Sequence, residues 1–99
     1  MDNNQITEKE LGVFLGSHTG WNIRNSSVIE KDYIFRDFKN AIAFINRIAE
    51  IAERENHHPD MSLYSYKQVT VRLTTHDSGG ITESDLMLAS MIDEIIERV

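Results

Sequence analysis

Asp37-Phe38-Lys39-Asn40-Ala41-Ile42-Ala43-Phe44-Ile45-Asn46-Arg47-Ile48-Ala49-Glu50-Ile51-Ala52-Glu53-Arg54-Glu55 is the stretch on which the fold turns. Asp37 has the short carboxylate that caps a helix N-terminus. Behind it, Phe38, Ile42, Ile45, Ala49 and Ala52 recur at three- and four-residue spacing, and Ala41, Phe44, Ile48 and Ile51 widen that stripe. An apolar face so broad suits a helix laid across a sheet better than one packed on a single neighbour. The helix is expected to stop near Asn56 or His57, because the residue before Pro59 is pushed out of the helical region.

Both flanks supply the strands. Upstream, Trp21–Arg24 and Val28–Phe35 read as two strands joined by the turn-rich Asn25-Ser26-Ser27. In the second of them Ile29, Lys31, Tyr33 and Phe35 share one side, and Val28, Glu30 and Asp32 the other, with Ile34 out of pattern on the acidic side. Downstream, Ser62–Tyr66 and Val69–His76 read as a second pair around Lys67-Gln68, with Val69, Val71 and Leu73 alternating against Thr70, Arg72 and Thr74. Thr7, with Glu10 three residues on, opens a first helix carrying Leu11, Phe14 and Leu15 and ended by Gly16. After a turn at Gly79-Gly80, Thr82 caps a last helix whose apolar residues are Leu88, Ile92, Ile95 and Val99, flanked by Ala89 and Ile96. The order is α-β-β-α-β-β-α. Short hairpins pair antiparallel, and amphipathic helices cover one sheet face, so an α+β two-layer sandwich with a four-stranded antiparallel sheet is expected.

Composition narrows the chemistry. Ninety-nine residues support one domain over 1–99, and 40% hydrophobic content is enough for one core. The absence of cysteine excludes disulfides, thiol nucleophiles and cysteine zinc sites, and points to a reducing, cytoplasmic setting. A formal charge of -6 without a Lys/Arg cluster speaks against nucleic acid as a partner. The longest apolar run, Ala41–Ile45, is far too short for a membrane span, and the polar start Met1–Gln5 is unlike a signal peptide. Any chemistry must come from imidazole, carboxylate, hydroxyl or backbone groups.

Three of the four histidines fall between positions 57 and 76. His57 and His58 follow the long helix and His76 ends a strand, and element ends are where side chains converge on pockets. Imidazole can give and take protons near neutrality. The same residues also read as a polar helix terminus and a solvated strand end, so the pattern alone leaves both open. Adjacent histidines without HExxH spacing do not form a metal site. His18 reads as an exposed loop residue. Glu53 lies four residues before His57 and would pair with it on one helix face. Asp77 reads as a turn residue, and Asp85, three after Thr82, reads either as a capping partner or as part of the site.

Glu53-Arg54-Glu55-Asn56-His57-His58-Pro59, followed by Tyr66, His76 and Asp85, resembles the signature of the pterin-4a-carbinolamine dehydratases. Trp21, Tyr33–Phe38 and Thr74–Thr82 are also similar to family sequences, so the resemblance runs from the first helix to the end. It implies a four-stranded antiparallel sheet with three helices on one face, assembled as homodimers or homotetramers. It implies loss of water from a 4a-hydroxytetrahydropterin to give a quinonoid dihydropterin, in tetrahydrobiopterin recycling, with no cofactor and no metal. His57 and His76 would then be acid and base, with His58 catalytic alongside them in binding and orienting the pterin. Pro59, Thr75 and Asp77 would contact substrate, Glu53 would support His57, and Asp85 would tie the last helix to the pocket. Two departures stand out: Met61 occupies a position where many members carry Trp, and the segment from Pro59 to His76 is one residue longer than in some. The resemblance also implies a second possibility, a non-enzymatic dimerisation or transcriptional-cofactor module working through the last helix with Met87, Met91 and Ile95. Retention of all three histidines favours the enzyme.

Overall fold

The structure, a computed structural model, describes residues 5–97; Met1–Asn4, Arg98 and Val99, the last of these expected on the apolar side of the final helix, lie outside the described residues. Its elements are α1 (Glu8–Ser17), β1 (Asn22–Arg24), β2 (Val28–Ile34), α2 (Phe38–Glu55), β3 (Asp60–Tyr64), β4 (Gln68–Leu73), a single 3-10 turn (His76–Ser78) and α3 (Glu83–Glu97). The strands form one antiparallel sheet in the order β1-β2-β4-β3. This is the expected α-β-β-α-β-β-α sandwich.

Register decides which side chains meet. Ile29 faces Leu73, Lys31 faces Val71 and Tyr33 faces Val69, while Met61 and Leu63 of β3 flank Val71 and Val69 from the other side. These residues share one sheet face, and Phe14 of α1, Ala41, Phe44 and Ile48 of α2, and Leu88, Ala89, Ile92 and Ile95 of α3 close over it in one buried cluster. The alternate residues Glu30, Asp32, Ser62, Thr70 and Arg72 form the helix-free face, where the Thr70 hydroxyl donates to Asp32 at 2.6 Å and Glu30 pairs with Arg24 and Arg72.

The broad stripe of α2 rotates relative to its leading residues. Ala41, Phe44, Ile48 and Ala52 carry the core contact, whereas Phe38 and Ala49 are exposed and Ile42, Ile45 and Ile51 are half-buried. A helix with so broad an apolar arc does not specify its own orientation. The sheet selects the arc with the best fit.

Several boundaries move for local reasons. Gly16 does not end α1, which runs to Ser17 and is capped by His18. Thr7 and Glu10 form the reciprocal capping box. The β3–β4 turn is Ser65-Tyr66-Lys67 rather than Lys67-Gln68, with Ser65 and Tyr66 at positive φ, and β3 starts at Asp60 rather than Ser62. β4 stops at Leu73. Thr75 then pairs with Gly80 instead of a strand, and the chain between them coils into the 3-10 turn.

Two side chains answer to contacts far along the chain. His18 is half-buried rather than an exposed loop residue: it stacks on Phe14 with ring centroids 4.1 Å apart, and its Nε2 meets the Ser90 hydroxyl at 3.2 Å. Asp93 on α3 accepts from Trp21 Nε1 at 3.0 Å, Lys31 Nζ at 2.9 Å and the Tyr33 hydroxyl at 3.4 Å. Burial, reinforced by the Asp93 carboxylate, holds the Tyr33 phenol well above its usual range. Gly20, at φ +95°, lets the chain pass Lys31: a Cβ there would lie 2.8 Å from the Lys31 Cε.

Candidate active site

The site begins where α2 ends. Asn56 adopts the left-handed conformation, and the His57 N–H donates to the Ala52 carbonyl at 3.1 Å, which satisfies the last turn. This closure throws His57 and His58 off the helix axis. The helical four-residue spacing from Glu53 to His57 therefore no longer applies, and Glu53 does not pair with His57. Glu53 Oε2 instead lies 2.5 Å from His58 Nε2, in a pair exposed on both sides.

His57 turns inward. Its Nε2 lies 2.5 Å from Asp85 Oδ1, and the Asp85 side chain is fully buried. Asp85 reaches this point from the first turn of α3, where its Oδ2 accepts the Thr82 N–H at 2.9 Å. That is one half of a capping box. The other half is absent because the Thr82 hydroxyl meets Thr75 Oγ1 at 2.8 Å. Thr75 in turn donates to Asp85 Oδ2 at 2.8 Å. Asp85 thus makes both contacts at once: it accepts the Thr82 N–H in the first turn of α3 and meets His57.

The 3-10 turn brings His76 and Asp77, both exposed, to the same cleft as His57. Gln5 braces this turn from the other end of the chain, its Nε2 donating to the Ser78 carbonyl at 2.7 Å. Asn56, His57, His58, Thr74, Thr75, His76 and Asp77 line a single open cleft of about 280 Å³. Larger hollows exist, but one of about 560 Å³ on the helix-free sheet face is lined by no imidazole, and one of about 480 Å³ is lined by His18 alone among the histidines.

Of the residues singled out from sequence, the cleft is lined by His57, His58, His76, Thr75 and Asp77; Glu53 and Asp85 stand behind it, each on a histidine. Pro59 is half-buried and does not line it. Met61 packs against the core, and Tyr66 lies in the β3–β4 turn beneath the Lys67 ammonium. Sequence reasoning missed Asn56 and Thr74 as walls. Asn56 had a signal, being a residue tolerant of the left-handed region at the expected helix stop. Among the described residues, no three His, Asp or Glu side chains gather to hold a metal ion.

A family model described as pterin 4 alpha carbinolamine dehydratase matches residues 4–95. The chain belongs to this family. A Sulfurisphaera tokodaii protein, named provisionally as a pterin-4-alpha-carbinolamine dehydratase, is 48% identical over 92 residues, covering 93% of this chain and 97% of that one. A Koribacter versatilis protein with the same provisional name is 44% identical, covering 91% of this chain and 94% of that one. Among solved structures, a transcriptional coactivator/pterin dehydratase from Brucella melitensis superposes with a TM-score of 0.86 at 33% identity, covering 93% of this chain and 98% of the other. A pterin dehydratase-like assembly factor of RuBisCO in the alpha-carboxysome, with a TM-score of 0.65 at 20% identity over 79% of this chain and 90% of its own, shares the fold.

Proposed function

We propose that this chain is a hydro-lyase that eliminates water from a 4a-hydroxytetrahydropterin, with His57 and His76 as the acid–base pair. The observation that carries the reading is the meeting of His57, His58 and His76, from two separate segments, around one cleft. Family membership supplies the substrate class.

The chemistry asks little of the protein. The C4a–O bond must break, the departing hydroxyl must gain a proton to leave as water, and the N5 proton must be removed as the C4a–N5 double bond forms. Two imidazoles lining one cleft can perform both transfers near neutral pH, and positioned acid–base groups of this kind contribute about 10²- to 10⁴-fold. His57, backed by Asp85, is the oriented member of the pair. His76, exposed and lining the same cleft, is the second member of the pair in this reading. His58 and Asp77 also line the cleft, and in this reading they contact the polar edge of the pterin. In this reading the chain serves tetrahydrobiopterin recycling, in the cytoplasm. Spectrophotometric dehydration of 4a-hydroxytetrahydropterin with purified protein and a chelator present tests it: the rate should rise in proportion to protein, and a rate equal to that of buffer refutes it.

A homodimer or homotetramer is also proposed, supported by the large exposed side chains of Ile34 and Phe38, four residues apart at the β2–α2 junction. The alternative, an interaction module acting through α3, has Met87 exposed and Met91 half-buried in its favour, but Ile95 belongs to the core. Sizing of the purified chain by light scattering checks the self-association.

A further inference from the structure

Thr75 lines the cleft, yet its polar groups turn inward. Its N–H donates to the Gly80 carbonyl at 2.9 Å, and its carbonyl accepts from Ser78 at 3.1 Å and from Gly80 at 3.3 Å. Its hydroxyl donates to Asp85 Oδ2 at 2.8 Å. A hydroxyl has one proton, so the contact to Thr82 Oγ1 must run the other way, with Thr82 donating. Thr82 is 1% exposed and Asp85 0%. The result is an ordered chain in which Thr82 O–H points to Thr75, Thr75 O–H points to Asp85 Oδ2, and the Thr82 N–H converges on that same oxygen. Oδ1 is left for His57. With Oδ2 accepting from both Thr75 and Thr82, Asp85 serves as an acceptor, and Oδ1 accepting in the same way puts the hydrogen of the remaining contact on His57 Nε2. Nδ1, which has no protein partner among the described residues, is the nitrogen available for proton transfer.

We infer that the Thr82–Thr75 hydroxyl pair is a positioning device, which pins Asp85 so that His57 is held by its Nε2–H and works through Nδ1. Thr75 is then a positioning residue rather than a substrate contact. The catalytic half of this inference rests on the dehydratase reading; the hydrogen-bond half does not. Two donors fix Oδ2, and a carboxylate fixed at one oxygen fixes the direction of the other. Loss of the Thr75 hydroxyl frees the carboxylate to rotate and loosens its hold on the ring.

The test uses the whole chain labelled with 15N-histidine, as wild type, Thr75→Val and Thr75→Ser. Wild type should show a downfield, solvent-protected proton correlated with His57 Nε2, and an unprotonated Nδ1 in the neutral ring. Thr75→Val should lose that proton to exchange and lower kcat about tenfold, the scale of one hydrogen bond to a charged group, with KM within about twofold. Thr75→Ser should restore both. A protected Nε2 proton unchanged in Thr75→Val, or its absence from wild type, overturns the inference; so does a loss confined to KM, which would make Thr75 a substrate contact. If Thr75→Val does not fold, Thr82→Val must show the same loss in smaller measure, since its backbone N–H stays on Asp85; an unchanged ring there is equally fatal. A chain without dehydratase activity defeats the proposed function, while the NMR result still decides the hydrogen-bond chain.

Discussion

Asp85 Oδ1 lies 2.5 Å from His57 Nε2, joining the first turn of α3 to the loop that leaves α2, and the carboxylate is wholly buried while the ring keeps 18% of its surface exposed. One partner belongs to the interior and the other to the cleft. A change at Asp85 therefore reads out in stability as well as in activity.

Asp85→Asn turns an amide N–H toward donors that expect an oxygen, either Thr82 and Thr75 or His57. Leaving buried donors unmatched costs roughly 1–3 kcal/mol, more where a charge was present, so a loss of about 3 kcal/mol is expected. Urea unfolding followed by circular dichroism measures it. A midpoint equal to wild type would mean the network contributes nothing to the fold.

His57→Gln separates chemistry from architecture. The glutamine amide can still donate to Asp85 but cannot shuttle a proton, so activity should fall by about 10²-fold or more with stability nearly retained. His57→Ala should lose both, because it strands a buried carboxylate. Steady-state rates beside thermal melts distinguish the two variants.

His76 is exposed at the head of the 3-10 turn, and surface substitutions of this kind stay within about 0.5 kcal/mol. His76→Ala should keep the wild-type melting temperature and lose about 10²-fold in kcat. Full activity in this variant would remove His76 from the acid–base pair.

Glu53→Gln should change little. The Glu53–His58 pair is exposed on both sides, and such pairs contribute less than about 1 kcal/mol. A double-mutant cycle between Glu53→Gln and His58→Gln on kcat/KM should give a coupling below that figure. A larger coupling would make the pair a working part of the site.

Alkaline stability should depend on Tyr33. Its folded-state pKa is raised, so the native phenol keeps its proton when the unfolded one, with an ordinary value of about 10, has lost it. Stability from this group is complete below about pH 10 and declines as pH climbs above it. Tyr33→Phe should flatten the fall in urea midpoint between about pH 9 and 11. An unchanged slope would trace the alkaline loss to other groups.

The architecture was legible because its signals are local. The period-two run Val69–Leu73, the Thr7–Glu10 capping box and the wide stripe of α2 each state an element type without reference to the rest of the chain. Misreadings clustered where local rules compete. Gly16 reads as a terminator, but nothing lies within 4 Å of where its Cβ would be, and the helix runs past it. Tyr66 reads as strand by composition, yet the register Tyr64 to Gln68 leaves it in the turn.

The site divides the same way. That imidazoles and carboxylates gather at the ends of α2 and β4 follows from the sequence alone, since Pro59 forbids the helix and the glycines at 79 and 80 force a turn. Which carboxylate serves which histidine does not follow. Spacing pairs Glu53 with His57, but the left-handed Asn56 rotates the chain so that Glu53 meets His58, and His57 meets an aspartate twenty-eight residues away. Side-chain partnership across elements depends on where α3 settles against the sheet, a matter of packing summed over the whole core. Periodicity and spacing determined the elements and the residue types; only the tertiary structure decided that the buried Thr82–Thr75–Asp85 chain, rather than the nearest acid in sequence, backs His57.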